Sequence, residues 1–281
     1  MKILFIGTGL IGGSFSLALK EKGLMQEAGG FSRKKANLEK SIELGVIDRM
    51  FTSMDEGIQW ADWIILSIPV NAIRKLLPDI LDKVNRHQCV IDFGSTKEAI
   101  CKTVKDHPSR HQFIAAHPIA GTEYSGPEAA FPGLFQGKSM LICEPELSDP
   151  QLLTTFKEVC EQLTMKVDYL GALDHDRHLA YISHLSHVTS YALSHTVLEK
   201  EKDGSVILEM AGSGFASTVR LAKSSPEMWA PIFIDNREML LEAINGYSNK
   251  VQQLKELLES EDLDGILDYL KKGGEIKKIL K

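Results

Sequence analysis

The sequence predicts an α/β domain built on a mostly parallel sheet, followed by an all-helical domain. Over the first 170 residues, short apolar runs alternate with helical patterns, as they do in repeated βαβ units. From Asp174 onward the strand pattern stops and long helical periodicity replaces it. We therefore expect residues 1–171 to form the first domain and residues 172–281 to form the second.

The first element is a short apolar strand that leads directly into a G-x-G-x-x-G sequence over residues 7–12. The first glycine lets the chain turn, the second lets the backbone approach a pyrophosphate, and the third lets the following helix pack closely. The alternative is a tight strand-to-helix turn without a ligand. The context favours a Rossmann-type domain in which the dinucleotide contacts Gly7, Gly9, Leu10, Ile11 and Gly12.

Further strands and helices alternate along the first domain. The second strand is expected to end at Phe31. The later strands are apolar enough to be buried on both faces, which is typical of a parallel sheet. We expect strands over 63–68, 89–92, 113–116 and 140–143, with helical spacing over 71–84 and 96–105.

The second domain is expected to contain long helices. One helix spans 175–199 and ends before Lys202-Asp203-Gly204. Ser225 is a candidate N-cap, followed by a proline at the first helical position, for a helix that runs past Leu254. A short amphipathic helix over 263–270 ends the pattern. Long apolar-faced helices favour a homodimer.

Composition excludes several classes of protein. The 281 residues are 43% hydrophobic and 25% charged, with a net charge of -6, so no basic excess indicates a nucleic-acid partner. Four glycines interrupt the apolar run at the start of the chain, and no apolar stretch is long enough to span a membrane, so we expect a cytoplasmic protein. Free, buried thiols are expected at Cys89, Cys101, Cys143 and Cys160, which form no C-x-x-C pair.

Polar side chains follow three of the strands expected in the sheet. Because ligands collect beyond the carboxyl ends of parallel strands, the segments 67–69, 94–97 and 117–123 should line one crevice. They supply a hydroxyl, an imidazole and a carboxylate at the nicotinamide end of a dinucleotide. His117 is the candidate functional imidazole, although a histidine after a strand is often a capping or packing residue.

A second polar set lies in the helical domain. His184 and His187 are three residues apart and share a helix face. They could bind a metal, bind substrate or pack, but no H-E-x-x-H pattern accompanies them, so no metal is expected. Arg220 follows a glycine-rich turn and offers a planar fork for a carboxylate; the alternative is a solvated surface arginine.

These blocks together resemble the prephenate and arogenate dehydrogenases of tyrosine biosynthesis over nearly the whole chain. The pairing of an H-P-x-A-G block with a later S-H-L-x-H block is specific to that family. The resemblance rests on the glycine-rich opening, 94–97, 117–123, 174–176, 183–187, and Arg220 with 225–229.

The resemblance implies oxidative decarboxylation of prephenate or arogenate, with hydride passed to NAD(P)⁺ and CO₂ released. His117 would accept the proton of the substrate hydroxyl, and Ser95 would orient His117 or that hydroxyl. Arg220 would hold a substrate carboxylate. The further substrate-binding residues implied are His184, His187, Glu123, Thr122 and Trp229. Tyrosine is a possible inhibitor at the active site.

Three positions, at two places in the sequence, depart from the family pattern. Ser186 stands where the family often has proline, and Ala216 and Ser217 stand where it often has a basic and then an acidic residue. The loss of these charges puts an ionic gate at the pocket entrance in doubt. Another NAD(P)-dependent 2-hydroxyacid or imine oxidoreductase, or a non-catalytic dinucleotide sensor, remains an alternative.

The choice of cofactor has its own signal after the second strand. NAD-specific sites usually place an acidic residue there for the ribose 2′-hydroxyl, whereas this chain has Ser32, Arg33 and Lys34. These residues favour NADP over NAD, although they could also be the basic start of the next helix. Ser67 and Pro69 complete the expected cofactor contacts.

Overall fold

A computed structural model describes residues 1–202 and 207–279 of the chain. Asp203 and Gly204, part of the turn expected after the first long helix, lie outside the described residues. The chain divides into two compact units, Met1–Asn236 and Arg237–Lys281. The domain boundary expected at residue 171 stays a prediction.

Within the described ranges, eight strands form one sheet in the order β3-β2-β1-β4-β5-β6-β7-β8. Neighbouring strands pair in parallel except β6 and β7, which are antiparallel. The mostly parallel sheet is confirmed. The strands are β1 Lys2–Ile6, β2 Glu27–Phe31, β3 Arg49–Met50, β4 Trp63–Leu66, β5 Cys89–Asp92, β6 Phe113–Pro118, β7 Ser139–Cys143 and β8 Lys166–Leu170.

Two hydrophobic clusters cover the two faces of this sheet. Alternate side chains of β1 enter different clusters, Ile3 and Phe5 one and Leu4 and Ile6 the other, because successive side chains of a strand point to opposite faces. The helices in this part of the chain are α1 Leu10–Glu21, α2 Lys35–Glu43, α3 Met54–Trp60, α4 Val70–Leu81, α5 Glu98–Val104 and α6 Pro150–Gln162.

The strands β3 and β8 were not predicted from the sequence. β3 has only two residues, both exposed, so it carries no apolar run. β8 contains Lys166 and Asp168 and is at most half-buried, as the last strand in the order. Both strands lie at the ends of the sheet, where pairing with a neighbour replaces a buried apolar pattern.

The expected single helix over 175–199 is wrong in its start and its continuity. The chain forms α7 over Ala172–Leu179, a π-helical segment over Ala180–His184 and α8 over Leu185–Lys202. A π segment widens one turn, and such turns are frequent at functional sites. Here it separates His175 from His187.

The expected helix from Pro226 past Leu254 is also wrong. It ends as α10 over Pro226–Asp235, with Ser225 as the N-cap residue. Asn236 leaves helical geometry, with φ at -103° and ψ at 29°, and its buried side chain makes tertiary hydrogen bonds. A short helix α9, Ser213–Thr218, precedes α10.

The second unit contains α11, Arg237–Glu259, and α12, Leu263–Gly273. Asp262 caps α12 by accepting a hydrogen bond from the backbone of Gly265 at 2.9 Å. Tyr269 of α12 donates from its hydroxyl to the carbonyl of Lys250 in α11 at 3.0 Å. The amphipathic helix expected over 263–270 is therefore present.

No helix among the described residues is both long and apolar enough to cross a membrane. All four cysteines are buried, as expected, and burial raises the pKa of each thiol.

Candidate active site

The glycine-rich turn between β1 and α1 has the geometry of a pyrophosphate cradle. Gly7 has φ at +97°, and a Cβ there would overlap the carbonyl oxygen of Ser67. A Cβ at Gly12 would overlap the carbonyl of Gly7, which holds α1 close to the turn. At Gly9, the N-cap residue of α1, a Cβ would meet no atom within 4 Å. Of these three glycines, only Gly9 leaves open space beside its backbone, so a dinucleotide phosphate could approach the turn there.

Other expected cofactor contacts lie at the ends of neighbouring strands. Ser67 follows β4 and donates its backbone N–H to the carbonyl of Ile6 at 2.9 Å. Pro69 is the N-cap residue of α4. Leu10 and Ile11 form the first turn of α1 and are half-buried.

The end of β2 is basic. Ser32 is half-buried and its Oγ accepts a hydrogen bond from the backbone of Lys34 at 3.3 Å. Arg33, Lys34 and Lys35 are exposed, and Lys35 pairs with Glu39 at 3.0 Å. This segment therefore presents cations where an NAD-specific site usually presents a carboxylate.

His117 lies near the end of β6 and is hydrogen-bonded to a second histidine. Its Nδ1 is 2.8 Å from Nε2 of His175 in α7. Nδ1 of His175 is in turn 2.8 Å from Oδ1 of Asp176. His175 and Asp176 are buried, whereas His117 is only partly buried. The three side chains form a continuous hydrogen-bonded chain that ends at a carboxylate.

Backbone donors hold that carboxylate in place. The backbone N–H of Lys97 donates to Oδ1 of Asp176 at 2.8 Å, and the backbone N–H of Glu98 donates to Oδ2 at 2.9 Å. These donors belong to the segment that follows β5, which includes Ser95. Ser95 itself is half-buried in this turn. The loop after β5 therefore helps to position α7 and its histidine.

Lys97 also connects two strand ends. Its side chain is fully buried, pairs with the buried carboxylate of Asp92, and donates from Nζ to the carbonyl oxygen of Ala116 at 2.7 Å. Burial raises the pKa of Asp92, against the opposing effect of the Lys97 charge. A buried charge requires such a partner, because an unpaired ion in the protein interior is strongly unfavourable.

The electrostatic environment keeps the imidazole of His117 neutral. Burial, followed by the neighbouring His175 and the Lys97 charge, holds the pKa of His117 well below its usual 6.5. Burial also lowers the pKa of His175, although Asp176 opposes the shift. At neutral pH His117 is therefore able to accept a proton.

His184, the last residue of the π segment, is buried and hydrogen-bonded to Asn236. Nδ2 of Asn236 donates to the carbonyl of Asp176 at 2.7 Å and lies 3.0 Å from Nδ1 of His184. Since a carbonyl can only accept, the amide nitrogen is the donor, and Nδ1 of His184 accepts. Burial lowers the pKa of His184 to about 4, so the neutral ring carries its proton on Nε2.

His187 has the opposite tautomer. Its Nδ1 donates to the carbonyl of Ser183 at 3.1 Å, and burial lowers its pKa to about 4, so Nε2 is an acceptor. The ring stacks on Trp229 with 3.4 Å between centroids and 26° between planes. His184 and His187 thus offer one donor and one acceptor, and both contact the indole.

Arg220 pairs with Glu123, although 97 residues separate them. Nη1 of Arg220 lies 3.2 Å from Oε2 of Glu123, and half of the arginine side chain is exposed. A hydrogen bond from its own backbone, and then Arg220, lower the pKa of Glu123. Thr122 accepts a hydrogen bond from the backbone of Tyr124 at 3.3 Å.

The departures from the family pattern lie in the helical part of this unit. Ser186 is half-buried at the start of α8. Ala216 and Ser217 are exposed in α9, where the hydroxyl of Ser217 donates to the carbonyl of Gly214 at 2.9 Å. Positions 216 and 217 therefore carry no charge, and Arg220 pairs with Glu123.

Four further residues of this site were not predicted from the sequence as site residues: His175, Asp176, Lys97 and Asn236. His175 and Asp176 belong to the block 174–176, and Lys97 belongs to the block 94–97, so membership of these blocks was the signal that could have indicated them. In the part of the chain that the structure describes, no group of three or more His, Cys, Asp or Glu residues could hold a metal ion.

Family models match both parts of the chain. Residues 15–169 match the model described as prephenate dehydrogenase, nucleotide-binding domain, and residues 172–272 match the model described as prephenate dehydrogenase, dimerization domain. Prephenate dehydrogenase of Bacillus subtilis is 28% identical over 96% of this chain and 73% of its own. Cyclohexadienyl dehydrogenase of Zymomonas mobilis is 27% identical over 99% and 96%.

Solved structures show the same fold. Prephenate dehydrogenase of Aquifex aeolicus, in complex with hydroxyphenyl propionate and NAD⁺, superposes with a TM-score of 0.92 at 29% identity, covering 100% of this chain and 98% of that one. Arogenate dehydrogenase of Synechocystis gives a TM-score of 0.78 at 30% identity and covers both chains completely.

Proposed function

The chain belongs to the prephenate dehydrogenase family and is an NAD(P)-dependent oxidoreductase, and from this premise we propose that it oxidatively decarboxylates prephenate or arogenate. The observation that carries the proposal is the neutral His117, partly buried near the end of β6 and hydrogen-bonded to His175. Such a group accepts the proton that a carbinol loses when it is oxidised.

The chain's residues have distinct tasks in this reaction. The bound nicotinamide supplies the hydride acceptor. His117 takes the hydroxyl proton as the carbinol carbon gives up its hydride. The bond from the ring to its carboxylate then breaks, CO₂ leaves, and the electron pair makes the ring aromatic. The resulting phenolate oxygen takes the proton back from His117, so the base is restored.

The remaining site residues bind and orient substrate in this proposal. Arg220 holds a substrate carboxylate through a charge-assisted hydrogen bond. This bond replaces the contact that Arg220 makes with Glu123. His184 donates from Nε2, and His187 accepts at Nε2. The indole of Trp229 contacts both imidazoles, stacked on His187 and edge-on to His184. We propose that Ser95 and Thr122 act at the same site, as the resemblance of their sequence blocks to the family implies.

We also propose NADP⁺ as the preferred cofactor. The support is the exposed cationic segment after β2, with Arg33 and Lys34 in place of an acidic residue. The Aquifex aeolicus relative was solved with NAD⁺, so NAD⁺ is the alternative to be tested.

A homodimer is proposed from the match to a dimerization domain. Tyrosine is proposed to compete with substrate at the active site.

A four-way kinetic comparison tests this function. The purified full-length chain is assayed with prephenate and with arogenate, each with NAD⁺ and with NADP⁺. We expect turnover with at least one substrate, a higher kcat/KM with NADP⁺, and tyrosine inhibition that substrate relieves. Absence of turnover in all four combinations contradicts the proposed function. Higher kcat/KM with NAD⁺ contradicts only the cofactor preference.

A further inference from the structure

We propose that Asp176, acting through His175, sets the tautomer of His117 so that Nε2 is the nitrogen left free to accept a proton. This inference rests on the proposed function, because that function makes His117 the base. Asp176 and His175 are positioning residues in this account, since neither is assigned a contact with substrate or cofactor.

The carboxylate of Asp176 accepts hydrogen bonds at both of its oxygens. Oδ1 accepts from the backbone N–H of Lys97 at 2.8 Å, and Oδ2 accepts from the backbone N–H of Glu98 at 2.9 Å. Backbone N–H groups cannot reverse their direction. The contact of 2.8 Å between Oδ1 and Nδ1 of His175 therefore has the imidazole as its donor.

The direction of this hydrogen bond determines the direction of the next one, between His175 and His117. A neutral imidazole has one N–H and one lone pair. With its proton on Nδ1, His175 presents a lone pair at Nε2. The contact of 2.8 Å to His117 then requires an N–H at Nδ1 of His117. Its Nε2 consequently carries the lone pair, which is the arrangement that a general base needs.

The other tautomer of His117 is incompatible with these hydrogen bonds. A proton on its Nε2 would leave its Nδ1 lone pair facing the lone pair of His175 at 2.8 Å. A second proton on His175 would relieve that conflict, but burial lowers the pKa of His175 and opposes the charge. The geometry therefore favours one tautomer over the other.

Further hydrogen bonds hold the backbone at both ends of this row of hydrogen-bonded side chains. Asn236 donates to the main-chain carbonyl of Asp176 at 2.7 Å. Lys97 donates to the carbonyl of Ala116, the residue directly before His117, at 2.7 Å. These contacts fix the backbone on either side of the two histidines. When His117 takes up a proton, the hydrogen bonds through His175 link the resulting cation to the negatively charged carboxylate of Asp176.

The tautomer can be read directly by ¹⁵N NMR of the full-length protein labelled at its histidine rings. The His117 signals are those absent from the His117→Asn variant. We expect a protonated Nδ1 and an unprotonated Nε2 in the wild-type protein at neutral pH. A proton on Nε2 of His117 in that protein would overturn the inference, whatever the activity.

Two variants of nearly equal size test the role of His175. In His175→Gln, the amide oxygen can still accept from Nδ1 of His117, so we expect the wild-type tautomer and a kcat within about 10-fold. His175→Met offers no comparable acceptor, so both tautomers should appear and kcat should fall about 100-fold or more, with KM little changed. Equal tautomers and equal kcat in the two variants would overturn the inference.

The outcomes separate this inference from the proposed function. The expected tautomer without turnover on either cyclohexadienol contradicts the function and leaves the tautomer assignment standing. Turnover with His117 protonated on Nε2 contradicts the inference alone. If neither variant folds, the tautomer of the wild-type protein still decides.

Discussion

The buried ammonium group of Lys97 donates a hydrogen bond of 2.7 Å to the carbonyl oxygen of Ala116, the residue that directly precedes His117. The same group pairs with the buried carboxylate of Asp92. One cation therefore links the end of β5 to the strand that carries the proposed base. Its position in the interior makes it important for stability as well as for geometry.

Replacement of Lys97 by methionine should destabilise the fold strongly. It leaves the Asp92 carboxylate buried without its cation, and breaking such a pair typically costs about 3–5 kcal/mol. Urea denaturation gives the free energy of unfolding. The matched control is Lys157→Met, which removes an exposed ion pair to Glu161 and should cost less than about 1 kcal/mol. Equal losses in the two variants would contradict the structural role of Lys97.

Replacement of His117 by asparagine should lower kcat about 10²- to 10⁴-fold, the usual contribution of a general base. KM should change little, because the side chain acts mainly on the proton that moves. Steady-state kinetics with the better substrate measure both constants. His111→Asn changes an exposed histidine and should leave them unaltered. An unchanged kcat in His117→Asn removes this residue from the proposed role.

Replacement of Arg220 by glutamine should chiefly raise KM for the substrate. A charge-assisted hydrogen bond is worth about 1.5–3 kcal/mol, which corresponds to about 10- to 100-fold in KM. The exposed Arg86→Gln serves as control and should leave KM unchanged. A loss confined to kcat would show that Arg220 does not hold a carboxylate in the ground state.

The acid limb of the pH profile should lie well below pH 6.5. The pKa of His117 is lowered, so the ring stays neutral and active as pH falls from 8 through 6.5, and activity is lost only when it finally protonates. The measurement is kcat/KM against pH, with circular dichroism at each pH to confirm folding. A midpoint at or above 6.5 would contradict the lowered pKa of this imidazole.

Much of the sheet could be predicted from the sequence because its central strands are buried on both faces. Short apolar runs such as Trp63–Leu66 then stand out against their surroundings. The glycines of the opening turn were predictable for a similar reason, since Gly7 and Gly12 have no room for a side chain. Strands at the sheet ends, such as β3, carry no such pattern.

The errors in the helices and the missed site residues have a different origin. Asn236 ends α10 and bonds to Asp176 and His184, and no local pattern indicates contacts over 60 and 52 residues. His175 reaches His117 across 58 residues. Sequence blocks indicated that these regions matter, but the pairing of their side chains depends on the folded chain.

The ratio of CO₂ released to cofactor reduced distinguishes oxidative decarboxylation from simple oxidation of the carbinol. Wild-type protein is incubated with prephenate or arogenate and NAD(P)⁺, and both products are quantified in the same reaction. We expect one CO₂ for each reduced nicotinamide. Reduction of the cofactor without CO₂ would contradict it and would indicate a simple dehydrogenase on the same fold.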